Sequence, residues 1–309
     1  MIAVDRLTKF YGPRQAIKQL TFNIEKGEVV GFLGPNGAGK STTMNILSCI
    51  IPASGGTAKI GGFDIFEESL EIKKIIGYLP EIPPLYPDMI VFDYLRFAAG
   101  IRSVPKNKID DAVEAVLDKC WLQDVKHRIA GRLSKGFQQR VGIAQALIHE
   151  PSVLILDEPT IGLDPLQIIE IRKLIKELAK DRTIILSSHI LPEITQICQR
   201  VIIINEGEIA AVDSLEGITA SLRKTQRIQL AIREGHNQAK EALEKIKGVI
   251  SANQNEDREF QIECELSSDL QDEIAQTTLN NKWGLVELKQ NTISLEDVFL
   301  KLTTEETHV

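Results

Sequence analysis

Apolar residues near the N-terminus fall into three short stretches with the pattern of strands. They read "MIAVDRL", "IKQLTFNI" and "GEVVGFLG", and Tyr-Gly-Pro and Lys-Gly turn signals separate them. The third stretch runs directly into a glycine-rich loop, and helical spacing of apolar residues follows from Ser41 to Ile50. The chain is therefore predicted to begin with strands that lead into a loop and a helix.

Helical and strand patterns alternate through the middle of the chain. Apolar spacing at Val113, Val116, Leu117 and Cys120 predicts a helix near residues 108–120, within a mostly helical segment. From residue 137 onward the order is helix "FQQRVGIAQALIHE", strand "VLILD", helix "PLQIIEIRKLIKELAK", strand "TIILSS", helix "LPEITQICQ" and strand "RVIIIN". Apolar strands that alternate with helices indicate a parallel sheet covered on both faces.

The pattern becomes more polar after about residue 216. Strands are predicted at "RIQLAIRE", "GVISANQ", "EFQIECEL" and "GLVELKQ", and helices at "NQAKEALEKI", "SDLQDEIAQTTL" and "SLEDVFLKLT". Up to the last strand, the order βαββαβ is that of a ferredoxin-like module. The tail is therefore predicted to be a small separate domain.

Composition narrows the possible partners. The chain has 36 basic and 43 acidic residues, and no run of Lys and Arg marks a surface for a nucleic-acid backbone. The four cysteines are far apart and include no Cys-x-x-Cys pair, which argues against disulfides and zinc and suits a reducing cytosol. Apolar runs are only as long as strands, and no secretory signal opens the chain. We expect no nucleic-acid partner and no membrane span.

The glycine-rich loop "GPNGAGKS" satisfies the pattern G-x-x-x-x-G-K-[ST] between a strand and a helix. Its backbone N–H groups and the helix N-terminus can bind phosphates. Lys40 can reach the β and γ phosphates, and Ser41 can ligate Mg²⁺. Nucleotide binding is therefore predicted. The predicted nucleotide-binding residues of the loop are Gly34, Pro35, Asn36, Gly37, Ala38, Gly39, Lys40, Ser41 and Thr42.

A phosphate loop alone leaves a GTPase, a small-molecule kinase and a transport ATPase open. The stretch "NKID" at 107–110 resembles the motif that reads guanine, but it follows "IRSVPK" rather than an apolar strand and opens a helical pattern. No Asp in the sequence is followed three residues later by Gly, as a GTPase switch requires. We interpret Asn107 as a residue at the start of a helix.

Two strand ends carry side chains suited to phosphate hydrolysis. Asp157 and Glu158 follow the apolar strand "VLIL", so they are expected at the carboxyl edge of the sheet beside the phosphate loop. Asp157 suits Mg²⁺, and Glu158 suits the orientation or deprotonation of a water. His189 closes the next strand, where it is expected to contact the γ-phosphate.

The motifs follow one another along the chain as Tyr11 in "KFYG", "GPNGAGKST", "YLPE", "LSKGFQQR", "VLILDEP", "IGLD" and the histidine of "SSH". In this order they resemble the motifs of the ATP-binding cassette (ABC) transporter ATPases, over about residues 2–220. The single cassette and the tail look most like bacterial exporter ATPases whose membrane permease is a separate chain, including gliding-motility and multidrug-type members.

The resemblance implies an α/β fold of the P-loop NTPase class. It consists of a parallel-sheet core, an antiparallel N-terminal β subdomain and a helical subdomain at about residues 82–150. The ABC ATPase domain would occupy residues 1–215, and residues 216–309 would form the small α+β ferredoxin-like accessory domain. The implied activity is hydrolysis of ATP to ADP and phosphate with Mg²⁺.

The resemblance also implies roles for single residues. Tyr11 would stack on adenine, and Glu81 would occupy the position of the family's glutamine loop, which touches Mg²⁺ or the attacking water. The implied catalytic residues are Glu158, His189 and Glu81, and the implied metal ligands are Ser41, Glu81 and Asp157. Ser134 and Gly136 of "LSKGF" would close on ATP held by a second subunit, in a head-to-tail homodimer or heterodimer.

Three residues depart from the family pattern. The signature usually reads Leu-Ser-Gly-Gly-Gln, and here Lys135 and Phe137 replace a Gly and the Gln. Glu81 replaces the usual Gln with a stronger Mg²⁺ ligand that adds negative charge near the γ-phosphate. The added lysine brings positive charge near the polyanion, so we expect a functional variant of the signature.

The resemblance places the chain on the cytoplasmic face of the membrane, held there by the permease. The alternative is a non-transport ABC ATPase that acts on DNA or ribosomes, or a regulatory ATP-binding module. The segment between Lys40 and the signature is too short for a long coiled-coil insertion, and a single phosphate loop argues against a tandem cassette. The proline-rich stretch "LPEIPPLYPDM" lies between catalytic motifs, so we interpret it as a loop that passes movement to the helix "VFDYLRFAAGIR".

Overall fold

The computed structural model describes residues 1–214, 217, 225–254, 259–265 and 270–291. The predicted helix "SLEDVFLKLT" lies outside the described residues. The chain divides into two compact units, Met1–Leu215 and Glu216–Val309. Each has a hydrophobic core of its own.

The first unit contains ten described strands and seven described α-helices. The strands are β1 Ile2–Tyr11, β2 Arg14–Ile24, β3 Val29–Leu33, β4 Gly55–Ile60, β5 Phe63–Asp64, β6 Ile76–Leu79, β7 Val153–Leu156, β8 Thr183–Ser188, β9 Arg200–Asn205 and β10 Glu208–Ser214. The helices are α1 Lys40–Leu47, α2 Ser69–Ile75, α3 Val91–Ile101, α4 Ile109–Lys119, α5 Lys135–Leu147, α6 Pro165–Leu178 and α7 Leu191–Thr195. This order confirms the predicted α/β class.

The central sheet has the order β10-β9-β3-β8-β7-β6, and all of its neighbours are parallel except the antiparallel pair of β9 and β10. Every residue of β3, β6, β7 and β8 is buried, because parallel strands are covered on both faces. Their sequences are mostly apolar, and the buried polar residues are Thr183, Ser187 and Ser188 of β8. The carboxyl ends of these four strands meet at one edge, from which the phosphate loop and the acidic pair emerge.

A second, antiparallel sheet has the order β2-β1-β4-β5. It shares its core with the central sheet, since Ile2 and Val4 of β1 belong to the same buried cluster as Phe32 of β3. The rings of Phe22 and Phe32 lie 5.8 Å apart between the two sheets. The antiparallel N-terminal part of the fold that the resemblance implied is therefore present.

Some elements differ from the sequence prediction. The strands β4, β5 and β10 and the helix α2 were not predicted. The helix predicted at "LPEITQICQ" ends early, at Thr195, because the chain turns there so that β9 can begin at Arg200. The "NKID" stretch passes through a 3₁₀ turn at Lys106–Lys108 into α4. The proline-rich stretch, residues 79–89, begins at the last residue of β6 and forms no regular helix or strand from residue 80 onward, as predicted.

The second unit has the predicted βαββαβ order. Its elements are β11 Thr225–Ile232, α8 His236–Leu243, β12 Val249–Gln254, β13 Glu259–Glu265, α9 Gln271–Asn280 and β14 Leu285–Asn291. The strands form an antiparallel sheet in the order β12-β13-β11-β14, the arrangement of a ferredoxin-like fold. Within the described ranges, no helix of either unit combines the length and the apolar composition that crossing a bilayer demands.

His149 joins the end of α5 to β6 and makes the stability of the first unit sensitive to pH. Its Nε2 donates to the carbonyl oxygen of Ile76 at 2.9 Å, and its buried Nδ1 has no hydrogen-bond partner among the described residues. Burial, followed by the nearby charge of Arg102, lowers the pKa of His149 from 6.5 to about 4. The unfolded chain therefore binds this proton first as the pH falls.

We predict that, between pH 6.5 and pH 4, the unfolding free energy of His149→Gln falls by about 1–2 kcal/mol less than that of the wild type, after allowance for solvent screening. The sign follows from the lowered pKa, because the neutral folded form loses stability as the pH falls through this window. Denaturant melts of the wild type and the variant across the window measure the difference. His127→Gln, at an exposed position, is the matched control, and an equal effect of the two changes would contradict the prediction.

Candidate active site

The phosphate loop adopts the backbone conformation that its glycines permit. Gly37 and Gly39 have φ values of 83° and 108°, in the region that favours glycine, and Gly39 caps the N-terminus of α1. A Cβ on Gly34 would lie 2.3 Å from the carbonyl oxygen of Ile204, so this position also requires glycine. The loop therefore curls tightly over the start of α1, where backbone N–H groups suit an anion.

Lys40 and Glu158 form a buried ion pair at the floor of the site. Both residues are 5% exposed, and the Lys40 Nζ lies 3.2 Å from the Glu158 Oε1. The same ammonium donates to the carbonyl oxygens of Gly34 and Pro35 at 2.9 and 3.2 Å. Lys40, the first residue of α1, is thus connected to Glu158, the second residue after the end of β7.

Ser187 hydrogen-bonds to both residues of the acidic pair. Its hydroxyl donates to the Asp157 Oδ1 at 2.5 Å and accepts from the Glu158 backbone N–H at 2.9 Å. Glu158 has a φ of 47°, an unusual value for a side chain with a Cβ, and this hydrogen bond holds it there. A single hydroxyl at the end of β8 therefore orders the end of β7.

Asp157 carries a costly buried charge. Burial raises the pKa of its carboxyl above the ordinary value, hydrogen bonds from Ser187 and Ser41 oppose this, and the charges of Glu158 and Glu81 raise it further. The negative charges of Glu158 and Glu81 thus both act on the Asp157 carboxyl, which two hydroxyl groups contact. An oxygen-rich, negatively charged group of this kind suits a hard divalent cation such as Mg²⁺.

His189 lies on the other side of Glu158 from Lys40. Its Nδ1 is 2.9 Å from the Glu158 Oε2, so both carboxylate oxygens of Glu158 have a partner. The turn that carries His189 is held by the buried Glu193 of α7, which accepts hydrogen bonds from Thr160 and Ser188. Thr160 follows the acidic pair closely in sequence, so the loops after β7 and β8 are tied together.

An open cleft of about 510 Å³ brings most of the predicted nucleotide-binding residues together. Its lining includes the predicted residues Tyr11, Asn36, Gly37, Gly39, Lys40, Ser41, Thr42, Glu81 and Glu158. Tyr11 is half exposed, and Lys9 stacks on its ring with its Nζ 5.3 Å from the centroid. The shape and the lining fit a nucleotide whose base rests near Tyr11 and whose phosphates rest in the loop.

Comparisons with known proteins agree with this geometry. The sequence model of the family described as "ABC transporter" matches residues 17–161. The chain is 35% identical over 304 residues to the bacitracin transport ATP-binding protein BcrA of Bacillus licheniformis, with 98% of this chain and 97% of the relative covered. The chain belongs to the ABC transporter family.

Other relatives and solved structures point the same way. This ABC protein is 30% identical over 308 residues to the linearmycin resistance ATP-binding protein LnrL of Bacillus subtilis, with 98% of both chains covered. It resembles a dimeric ATP-binding cassette in a post-hydrolysis state bound to ADP and Pi, with a TM-score of 0.64, 26% identity and coverage of 70% of this chain and 99% of that one. It resembles cbiO1 of Clostridium perfringens, part of the transporter complex cbiONQ, with a TM-score of 0.64, 30% identity and coverage of 71% and 90%.

The predicted family, fold and activity are thereby confirmed: the chain is an ATP-binding subunit of an ABC transporter and hydrolyses ATP. The roles of single site residues stay predictions. Seven predicted site residues are not among the described residues that line the nucleotide cleft: Gly34, Pro35, Ala38, Asp157, His189, Ser134 and Gly136. Ser134 is exposed and caps α5, where its Oγ accepts from the Phe137 N–H at 3.4 Å. Gly136 is buried, and a Cβ there would lie 2.6 Å from the Gln167 Oε1.

The sequence did not reveal four polar residues of this site. Arg14 lines the nucleotide cleft, Ser187 orders the acidic pair, and Thr160 and Glu193 connect the loops after β7 and β8. Ser187 lies at the end of a parallel strand, two positions before the predicted His189, and this position could have indicated a site residue from the sequence. The remaining three carry no comparable signal.

We predict that Ser187→Ala lowers the free energy of unfolding by about 1–3 kcal/mol, because it leaves the buried Glu158 N–H and the Asp157 carboxylate without their shared partner. It is also expected to slow ATP hydrolysis through the misplaced acidic pair. Denaturant melts and ATPase assays measure both effects. Ser152→Ala, at an exposed position beside the start of β7, is the control, and equal stability of Ser187→Ala and the wild type would contradict the prediction.

Proposed function

We propose that this ABC ATPase drives export through a separate membrane permease, and that Glu158 is its catalytic base. The observation that carries the proposal is the position of Glu158 at the phosphate loop, between Lys40 and His189. The names of the two relatives, which refer to bacitracin transport and linearmycin resistance, support export. The permease would hold the chain on the cytoplasmic face of the membrane.

The chemical step uses the ordered carboxylate of Glu158. Glu158 accepts a proton from a water molecule while the water oxygen bonds to the γ-phosphorus, and the bond from that phosphorus to the β–γ bridging oxygen breaks. His189 keeps the carboxylate in place through its Nδ1, and Lys40 offsets negative charge at the phosphates. The negative charge on the leaving ADP develops beside the N-terminus of α1.

The residues around Asp157 fit a magnesium ion. Asp157, Ser41 and Glu81 would hold it, since the buried carboxyl of Asp157 is incompletely compensated, Ser41 hydrogen-bonds to it, and Ser41 and Glu81 line the nucleotide cleft. When bound, the ion would supply positive charge to the phosphate oxygens. The chain's own contribution is to bring these oxygen ligands together before the nucleotide arrives.

Ser134 and Gly136 act on a nucleotide held by another subunit. Ser134 is exposed at the N-terminus of α5 and lies outside the nucleotide cleft of its own chain, which supports a role in a second chain. The dimeric form of the similar cassette supports the presence of a second subunit. Either two copies of this chain or this chain and a related one would complete two sites.

An apolar groove along α3 is the proposed contact for the permease. This α3 groove encloses about 620 Å³ and exposes five large apolar side chains, Ile50, Leu70, Tyr86, Phe97 and Ile101. The rings of Tyr86 and Phe97 lie 5.5 Å apart and form its wall. Tyr86 belongs to the proline-rich stretch that also carries Glu81, so the groove and the nucleotide cleft share one segment.

The division of labour between the two units follows from their contents. All the proposed site residues lie within residues 1–215, which we assign as the ATPase domain, with the helical subdomain at about residues 82–150. Residues 216–309 form the accessory domain. Its described part buries a core that includes Phe260 and Trp283, and it supplies none of the described residues of the nucleotide cleft.

We predict that Glu158→Gln slows ATP hydrolysis about 10²- to 10⁴-fold while ATP binding persists, because the amide keeps the shape of the side chain but cannot accept the proton. Phosphate release and nucleotide-binding assays on the purified protein, together with the permease, measure the two properties. Glu177→Gln, on the exposed face of α6, is the control and is expected to behave as the wild type. Equal hydrolysis by Glu158→Gln and the wild type would show that another group is the base.

We predict that Phe97→Ser weakens the association of the chain with its permease in membranes, because it removes an aromatic wall of the α3 groove. The Phe97→Ser variant is expected to bind nucleotide as the wild type does. Sedimentation of the chain with membranes that contain the permease measures the association. Phe66→Ser, at a similarly exposed phenylalanine outside the groove, is the control, and equal membrane binding by both variants would rule out the α3 groove as the contact.

A further inference from the structure

Two of the residues that depart from the family pattern line the same small cleft. This second cleft encloses about 300 Å³ between the proline-rich stretch and the start of α5, and its lining includes Glu81 and Lys135. Among the described residues, neither Glu81 nor Lys135 makes an ion pair, and both are exposed. Two unpaired charges of opposite sign therefore face one space.

One face of α5 forms a wall of the second cleft. Lys135, Gln139 and Gly142 are spaced by four and three positions, which places them on one side of the helix. A Cβ on Gly142 would lie 2.9 Å from the Pro83 Cβ, so the helix packs closely on the proline-rich stretch at this point. Lys135 and Gln139 lie further towards the N-terminus, where the cleft opens beside Glu81 and Pro83.

Gln139 supplies a hydrogen-bond donor that lacks an acceptor. The residue is 5% exposed, and its buried Nε2 has no partner among the described residues. A buried amide N–H without an acceptor is unfavourable, and the two oxygens of a carboxylate would satisfy it together with an ammonium. The second cleft thus contains donors suited to one carboxylate.

Glu81 stands between the second cleft and the nucleotide cleft, since it lines both. We propose that Lys135 and Gln139 form a second binding position for the Glu81 carboxylate, which Glu81 occupies when it is away from the metal and the attacking water. The inference rests on the proposed role of Glu81 in the nucleotide cleft. Lys135 and Gln139 are positioning residues, and they act on hydrolysis only through Glu81.

The two departures compensate for each other in this arrangement. Glu81 adds a negative charge near the γ-phosphate, and Lys135 removes that charge from the nucleotide cleft by pairing with it. A glutamine at position 81 would need no such counter-charge, and a glycine at position 135 would offer none. The carboxylate therefore has two alternative partners, the metal on one side and an ammonium on the other.

Hydrogen exchange in the absence of nucleotide and magnesium tests the pair directly. We expect Lys135→Met and Glu81→Gln each to increase exchange at the amides of residues 81–89 about fivefold, and the double variant to exchange no faster than either. Lys135→Arg, which keeps the charge, should restore the wild-type rate, and Lys176→Met on the exposed face of α6 should leave it unchanged. Unchanged exchange in Lys135→Met, or effects that multiply in the double variant, would overturn the proposal.

The magnesium dependence of ATP hydrolysis gives the second measurement. In the Glu81 chain, Lys135→Met should lower the Mg²⁺ concentration for half-maximal activity about fivefold, because the carboxylate loses its alternative partner. In the Glu81→Gln chain the same change should have no effect. An equal effect in both backgrounds would show that Lys135 acts on another group. If Glu81→Gln alone leaves the Mg²⁺ dependence of the wild type unchanged, the proposed role of Glu81 at the metal fails, whereas the exchange measurement still decides whether the pair exists.

Discussion

The buried pair of Lys40 and Glu158 is the interaction on which the site depends. Either charge alone would be very costly at 5% exposure, so each requires the other and requires the strands that bring them together. The parallel order of β3, β8 and β7 places the phosphate loop and the acidic pair at one edge of the sheet. The pair also prepares the site for phosphates, because it holds a cation beneath the curled loop.

Hydroxyl groups spread this order from the charged pair to its surroundings. Ser187 bonds the Asp157 carboxylate and the Glu158 backbone N–H, and Ser41 adds a second hydroxyl to Asp157. Glu193 ties Thr160 to Ser188, so the loops that carry Glu158 and His189 cannot shift independently. The catalytic edge therefore behaves as one hydrogen-bonded layer, and the strained backbone of Glu158 is maintained by its neighbours.

The sequence predicted this site well where the chain's chemistry is local. The phosphate loop, Asp157, Glu158 and His189 could be placed because each follows a buried apolar strand, and parallel strands end at one edge. Partners such as Glu193 could not, since they depend on the packing of α7 against loops that are distant in sequence. The strands β4 and β5 were missed because only two of their eight residues are buried and their apolar pattern is short. The proximity of Glu81 and Lys135 depends on the packing of α5 against Pro83, which no pattern reveals.

The proline-rich stretch lines the nucleotide cleft and the α3 groove and contacts α5 and the segment just before the signature. Glu81 opens into the nucleotide cleft, Pro83 packs on α5, Tyr86 forms a wall of the α3 groove, and Pro87 accepts a hydrogen bond from Gly131, just before the signature. These contacts follow one another along a few residues without regular structure, so the number of residues between them determines their spacing. Chain length in this stretch is thus as strictly constrained as side-chain identity. A one-residue insertion there would change the spacing between the nucleotide cleft, the α3 groove and the segment before the signature while leaving every chemical group in place.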